Sequence, residues 1–90
     1  MTETILPGRI VRLDENGKIL AEIDFPLTEE GIHTITHTFV DPSLRGKGLA
    51  AELVEEVLAL AKKEGFRLRA TCPYAKVYFE KHPDPTYLPQ

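Results

Sequence analysis

The sequence predicts an α+β fold, a sandwich of helices on a mixed sheet. Three observations carry this. Segments 9–14 and 18–25 flank Asn16-Gly17, a pair that tolerates positive φ and is a strong hairpin signal. Segment 32–40, "IHTITHTFV", is dense in β-branched and aromatic residues, which suit a pleated surface. Residues 46–64 then repeat apolar side chains at helical spacing, and 66–72 return to alternation. A strand, a helix and a second strand make a parallel crossover, and such crossovers are right-handed.

The elements follow in order. "RIVRLD" (9–14) is a short strand. "KILAEIDF" (18–25) puts Ile19, Ala21, Ile23 and Phe25 on one face and Glu22 and Asp24 on the other, the pattern of a half-buried antiparallel strand. "PLTEEG" is a turn. On the third strand, 32–40, strict alternation groups Ile35, His37 and Phe39 against Thr34, Thr36 and Thr38. The central helix carries Leu49, Leu53, Val57 and Leu60 on its apolar stripe, with acids early, Lys62 and Lys63 in the last turn, and Gly65 as C-cap. "FRLRATC" (66–72) aligns Phe66, Leu68, Ala70 and Cys72. Pro73 suits the first turn of a second helix, which Pro83 and Pro85 stop, and the tail over 83–90 reads as irregular.

Length and composition narrow the function. Ninety residues make one domain, 1–90, with one modest core. No apolar run approaches the roughly 20 residues of a membrane span, and the N-terminus lacks the basic and apolar regions of a signal peptide. The single cysteine excludes an intramolecular disulfide and leads to the expectation of a cytoplasmic protein. One Cys and three scattered His give no zinc-type spacing, so no metal is expected. The net charge of −3 argues against nucleic acid as a partner. The charge is uneven, however: residues 1–44 hold three cations and eight acids, and residues 45–90 hold eight cations and six acids. The basic excess begins at Arg45, inside "DPSLRGKGLAAELVEE".

Two glycines and two cations stand there at the start of a helix, where glycine costs about 1 kcal/mol in an interior position. The first amides of a helix have no internal partners and lie at the positive end of its dipole, so glycines that expose them make an anion site. A Walker A loop is excluded because Lys47 is followed by Gly48 rather than Ser or Thr. A dinucleotide loop is matched only in part by Gly46, Gly48 and Ala51, and "FRLRATC" lacks the acid that should follow. The hexad Arg45-Gly46-Lys47-Gly48-Leu49-Ala50 fits [RQ]-x-x-G-x-[GA]. In its strand–helix–strand setting it resembles the pyrophosphate-binding loop of the GNAT acetyltransferase superfamily. The wider pattern, "HTFVDPSLRGKGLAAELVEE…CPYAKVYFEKHPD", is similar to small, minimal GNAT-like proteins, and the resemblance covers residues 9–83.

The resemblance implies a minimal GNAT fold: an antiparallel N-terminal meander, a central crossover helix, a parallel strand and a C-terminal helix. It implies acetyl-coenzyme A as cosubstrate, its pyrophosphate held by amides from Arg45 to Ala50 with charge from Arg45 and Lys47. The pantetheine arm is expected beside Phe39 and Val40, in a gap before the "FRLRATC" strand. The chain departs from full-length members in having only "ENG" where helices usually shape the acceptor site, and in lacking terminal strands.

Three residues are candidates for chemistry. Cys72 ends a strand at a helix N-terminus, which favours the thiolate; a buried structural thiol is the alternative. His37 would approach Cys72 if strands 32–40 and 66–72 are parallel neighbours, and a histidine beside a thiol acts as its base. Tyr78 stands about where GNAT enzymes often place a tyrosine that protonates the departing coenzyme thiolate, with Tyr74 competing one turn earlier. The expected reaction is acetyl transfer to an unidentified amine, directly or through acetyl-Cys72. A non-catalytic coenzyme A-binding or interaction module is the other reading. A monomer or weak homodimer is expected, since so small a sheet leaves an edge strand unpaired.

Overall fold

A computed structural model of the chain describes residues 1–89; residue 90 lies outside the described residues. Those residues form β1 (Thr2–Leu6), β2 (Arg9–Leu13), β3 (Ile19–Asp24), β4 (Leu27–Glu29), β5 (Ile32–Ile35), β6 (His37–Val40), a 3-10 turn at Pro42–Leu44, α1 (Leu49–Glu64), β7 (Arg67–Ala70) and α2 (Pro73–Lys81). The α+β class and the order of the central elements agree with the sequence. No helix among the described residues is long and apolar enough to cross a membrane.

Two sheets replace the single expected one. The antiparallel sheet runs β1-β2-β3-β6, and the mixed sheet runs β4-β5-β7. The expected strand 32–40 serves both. Its first half, β5, pairs in parallel with β7 from Ile32↔Arg67 to Ile35↔Ala70. Its second half, β6, pairs antiparallel with β3 from Asp24↔His37 to Ala21↔Val40. The chain parts at Thr36, whose N–H donates to the Asp24 carbonyl (3.0 Å). On the other side the Ile35 carbonyl accepts from both Thr71 (3.0 Å) and Cys72 (3.1 Å), which ends the parallel ladder. The extra residue flips the alternation, as an inserted residue in a strand must. Thr38 and Val40, opposite the buried Ile23 and Ala21, follow Ile35 on the core side, while His37 and Phe39 turn to the other face.

Two strands escaped the sequence reading. Residues 2–6 close a hairpin on β2 through a two-residue Pro7-Gly8 turn. "PLTEEG" is more than a turn, since β4 within it pairs with β5. The tail is not wholly irregular: the Leu68 N–H donates to the Thr86 carbonyl (3.0 Å), the Leu88 N–H donates to the Leu68 carbonyl (2.8 Å), and Tyr87 stacks on Phe79 at 3.7 Å. These bonds extend the mixed sheet beyond β7, where the sequence suggested no terminal strand.

The core lies between the sheets and α1. Ile10, Ala21, Ile23 and Ile35 meet Leu53, Val54 and Val57, all fully buried, with Leu68 and Ala75 closing it from β7 and α2. One ion cluster ties the outer strands to the helix: Arg12 on β2 donates to Glu3 (3.1 Å), Glu52 (2.8 Å) and Glu56. Because Leu53 has no solvent exposure, Leu53→Ala is expected to remove about 2–5 kcal/mol of stability. Urea unfolding followed by circular dichroism checks this, and an unchanged midpoint would contradict the packing.

Candidate functional site

The loop between β6 and α1 is built from short-range bonds. Asp41 caps the 3-10 turn by accepting from the Ser43 N–H (3.1 Å), and the Arg45 Nε donates to the Val40 carbonyl (3.2 Å). Gly46 and Gly48 both lie in the left-handed region, at φ 83° and 77°. A Cβ on either would meet nothing within 4 Å, so conformation rather than crowding requires glycine. The helix therefore begins at Leu49, not at 46 as the periodicity suggested, with Gly48 as an N-cap that has no side chain to offer. The first intrahelical bond is Glu52 N–H to the Gly48 carbonyl (3.0 Å), which leaves the amides of Leu49, Ala50 and Ala51 free at the positive end of a 16-residue helix. A cavity of about 370 Å³ lies against them, lined by Val40, Arg45, Gly46, Gly48, Leu49, Ala50 and Tyr74 among others. Lys47 is exposed on the same loop but does not line the cavity.

Beside this loop β6 has a free edge. The Asp41 N–H donates to the Leu20 carbonyl (2.8 Å) and the register runs back to Asp24↔His37. By the alternation of an antiparallel ladder, His37 and Phe39 turn their backbone groups toward β3, and Thr38 and Val40 turn theirs toward the gap before β7. That gap is the one the sequence resemblance led us to expect.

Cys72 sits on the gap as the N-cap of α2. Its side chain is 6% exposed, and Sγ lies 3.4 Å from the Thr38 hydroxyl. Burial pushes the thiol up. The Thr38 hydroxyl and the amides of Ala75, Tyr74 and Thr38 outweigh it, and the balance holds the thiol below its ordinary value. The partner of Cys72 is thus Thr38. His37, expected near Cys72, is exposed on the opposite face and stands across from Asp24, because the inserted residue at Thr36 reverses its direction. Phe39 shares that face, while Val40 lines the loop cavity.

Of the two tyrosines of α2, Tyr74 lines the cavity at the loop and also a second depression, which it shares with Tyr78 one turn on and with Ala51 and Lys81. The tyrosine rings are 6.3 Å apart, and Tyr78 also stacks on His82 at 4.5 Å. Burial, followed by the Glu55 charge, pushes both phenols up. Thr38 was missed by the sequence reading, since strict alternation placed it away from the core. The clue was available in the side chains: a small polar residue next to the buried end of a strand is a suitable partner for a thiol.

Comparison with known proteins adds an independent line. A family model described as GCN5-related N-acetyl-transferase matches residues 10–88. Protein NATD1 of Gallus gallus and of Homo sapiens are each 33% identical over 54 residues, 60% of this chain; the match covers 49% and 48% of those proteins, so the chain spans about half their length. A solution structure from Staphylococcus aureus, described as GCN5-like, superposes with a TM-score of 0.83 at 25% identity, over 99% of this chain and 89% of that one. The ribosomal-protein-alanine N-acetyltransferase of Brucella melitensis shares the fold at a TM-score of 0.65 and 21% identity, over 84% of this chain and 59% of its own.

The thiol geometry has a measurable consequence. The Cβ chemical shift of Cys72, followed against pH, is expected to titrate below the roughly 8.5 of a free thiol, and Thr38→Val is expected to move the midpoint up. Folded protein should accordingly gain stability as pH rises from the folded value to the unfolded one, and lose it again as pH falls through the folded value. A midpoint above 8.5 would mean that burial wins.

Proposed function

Since the chain belongs to the GCN5-related N-acetyltransferase family, we propose that it transfers an acetyl group from acetyl-coenzyme A to an amine. The observation that carries this reading is the pair of left-handed glycines opening α1 beside the free edge of β6. The residues present suit the coenzyme. Free amides at Leu49 and Ala50, with the backbone of Gly46 and Gly48, suit a pyrophosphate, and Arg45 and Lys47 add positive charge. The Thr38 carbonyl and the Val40 N–H, which no strand pairs, stand next to Phe39 and suit the amide groups of a pantetheine arm, which would join β6 as an added strand. When bound, acetyl-coenzyme A supplies an activated thioester.

The chain's own groups then have distinct tasks. Thr38 and the α2 amides hold Cys72 toward the thiolate, the form that accepts an acetyl group, so transfer through acetyl-Cys72 is the finer proposal. Tyr74 at the loop cavity and Tyr78 beside it are the candidates for returning a proton to the coenzyme sulfur. Burial keeps both phenols protonated, as a general acid requires. A single domain over 1–90, a cytoplasmic location and a monomer or weak homodimer belong to the same reading. One observation favours a coenzyme A-binding module without turnover: no helix is described over the His37 face of β3 and β6, where an acceptor would be enclosed.

Thermal unfolding with and without acetyl-coenzyme A tests the proposal. At about 100 times its dissociation constant the ligand adds roughly 2.7 kcal/mol, which should raise the melting temperature by about 10 °C or more for a chain of this size. Gly48→Val, which strains a left-handed position, is expected to lose most of that shift. The absence of any shift in the natural sequence would sink the reading. Intact mass after incubation separates the routes: an added acetyl group on Cys72 supports the two-step path, and a Cys72→Ala variant with unchanged turnover removes it. Binding without coenzyme release from any amine would leave the module.

A further inference from the structure

At the end of α1 opposite the glycine loop lies another cavity, of about 640 Å³. The Pro7-Gly8 turn and Pro26 line it. The Phe25 N–H donates to the Gly8 carbonyl (2.8 Å), and the Thr34 N–H donates to the Pro26 carbonyl (3.0 Å). These bonds fix the turn against the start of β4, so the hollow is set by backbone. Ile5, Leu6, Leu27, Leu60 and Phe66 supply apolar walls. Ile5, Leu6 and Leu27 are 55%, 42% and 63% exposed, and they are three of the six large apolar side chains that the described residues expose. One exposed apolar side chain is ordinary, but three converging on a concave site mark a place for a ligand. The volume falls within the roughly 300–1,000 Å³ of small-molecule sites.

The polar groups decide which ligand. His33 and Glu64 are the only lining residues with polar side chains. The His33 Nδ1 lies 2.8 Å from the Phe25 carbonyl. A carbonyl oxygen only accepts, so Nδ1 carries the proton and donates, and in the neutral imidazole Nε2 keeps its lone pair. The ring is held against Phe66, with centroids 4.0 Å apart. Glu64 ends α1, is exposed, and enters none of the ion pairs of the described residues. It stands at the negative end of the helix dipole, where a cation is favoured. The nearby lysines are engaged elsewhere: Lys62 donates to Asp84 (2.9 Å), and Lys63 lines a separate hollow with Glu56 and Ala59. The cavity thus offers two acceptors and no free side-chain donor.

We propose that this cavity binds an organic cation: an apolar body of one or two rings carrying a positively charged N–H head. The head pairs with the Glu64 carboxylate and donates to the His33 Nε2, and the body lies between Leu27, Leu60 and Phe66. A carboxylate or phosphate ligand would meet Glu64 with no donor to offset it. The site does not depend on acetyl transfer, since the free amides that open α1 lie roughly 20 Å away along the 16-residue helix.

The test is a titration of 15N-labelled protein with 2-naphthamidine, followed by amide chemical shifts. 2-Naphthoate is the counter-probe, with the same rings and an anionic head. An amidine keeps its charge and does not serve as an amine acceptor, so the result is independent of any turnover. The dissociation constant is expected to be at least about tenfold lower for naphthamidine than for naphthoate. The shifts should fall on Leu27, His33, Glu64 and Phe66 and spare Gly46 to Ala51. Glu64→Gln is expected to weaken naphthamidine about tenfold and leave naphthoate no weaker. Leu27→Arg, at a side chain exposed enough that folding is not at stake, sets a cation on the rim and should abolish naphthamidine binding. Equal affinities for the two probes would overturn the proposal, as would shifts confined to Gly46–Ala51 or no saturable shift at millimolar probe. A sedimentation mass of two chains that falls to one in Leu27→Arg would also overturn it, because a second copy would then cover the rim.

Discussion

One strand feeding two sheets is the constraint on which the rest of this structure depends. At Ile35 a single carbonyl accepts from Thr71 and Cys72, and one residue later the Thr36 N–H turns to Asp24 on the other side. A backbone hydrogen bond contributes only about 1 kcal/mol net, but leaving such a group buried and unmade costs more, so the branch is held by what its failure would cost. Ile35, fully buried, pins the branch point to the core. From it follow the gap between β6 and β7, the free edge of β6, and the reversal that brings Thr38 to Cys72.

The branch also separates two faces with different electrostatics. Toward α1, the groups that suit an anion are mostly main chain: the amides that open the helix, the edge of β6 and the first amides of α2 beneath Cys72. Glu52, Lys62 and Lys63 sit at the ends of α1 where its dipole favours them, so the helix is stabilised without any side chain blocking its first turn. Away from α1, side chains dominate: Arg9 pairs with Glu22 and Asp24, and His37 stands across from Asp24 in the ladder.

Much of this was legible in the sequence, for identifiable reasons. Gly46 and Gly48 stood out because no helix interior tolerates them cheaply, and the stripe from Leu49 to Ala61 fixed the helix that follows. The hairpin at Asn16-Gly17 was readable from turn chemistry. What was not legible required knowing partners distant in the chain. The break at Thr36 leaves no mark on "IHTITHTFV", which alternates as well through the break as on either side of it. The faces of His37 and Thr38 were therefore exchanged, and with them the partner of Cys72. The strand at Thr2–Leu6 is mostly exposed and lacks clean alternation, and the short pairing at Leu27–Glu29 exists only because β5 lies beside it. The tail at Thr86–Leu88 follows two prolines, yet the free edge of β7 captures it.

Cys72 shows how far structure and chemistry can be separated here. As an N-cap, its side chain occupies the place where α2 needs an acceptor for its first amides, and a serine or aspartate oxygen would fill that need better than a thiol. As a core residue, its small apolar bulk would be matched by alanine or valine, neither of which calls for donors. Beside these two roles, the sulfur lies 3.4 Å from the Thr38 hydroxyl. The same geometry needs little from side chains elsewhere: two left-handed glycines, a parted strand and a helix start supply the remaining polar groups. A site made mostly of backbone requires a fold more than a particular sequence, which is consistent with a shared fold at only 25% identity.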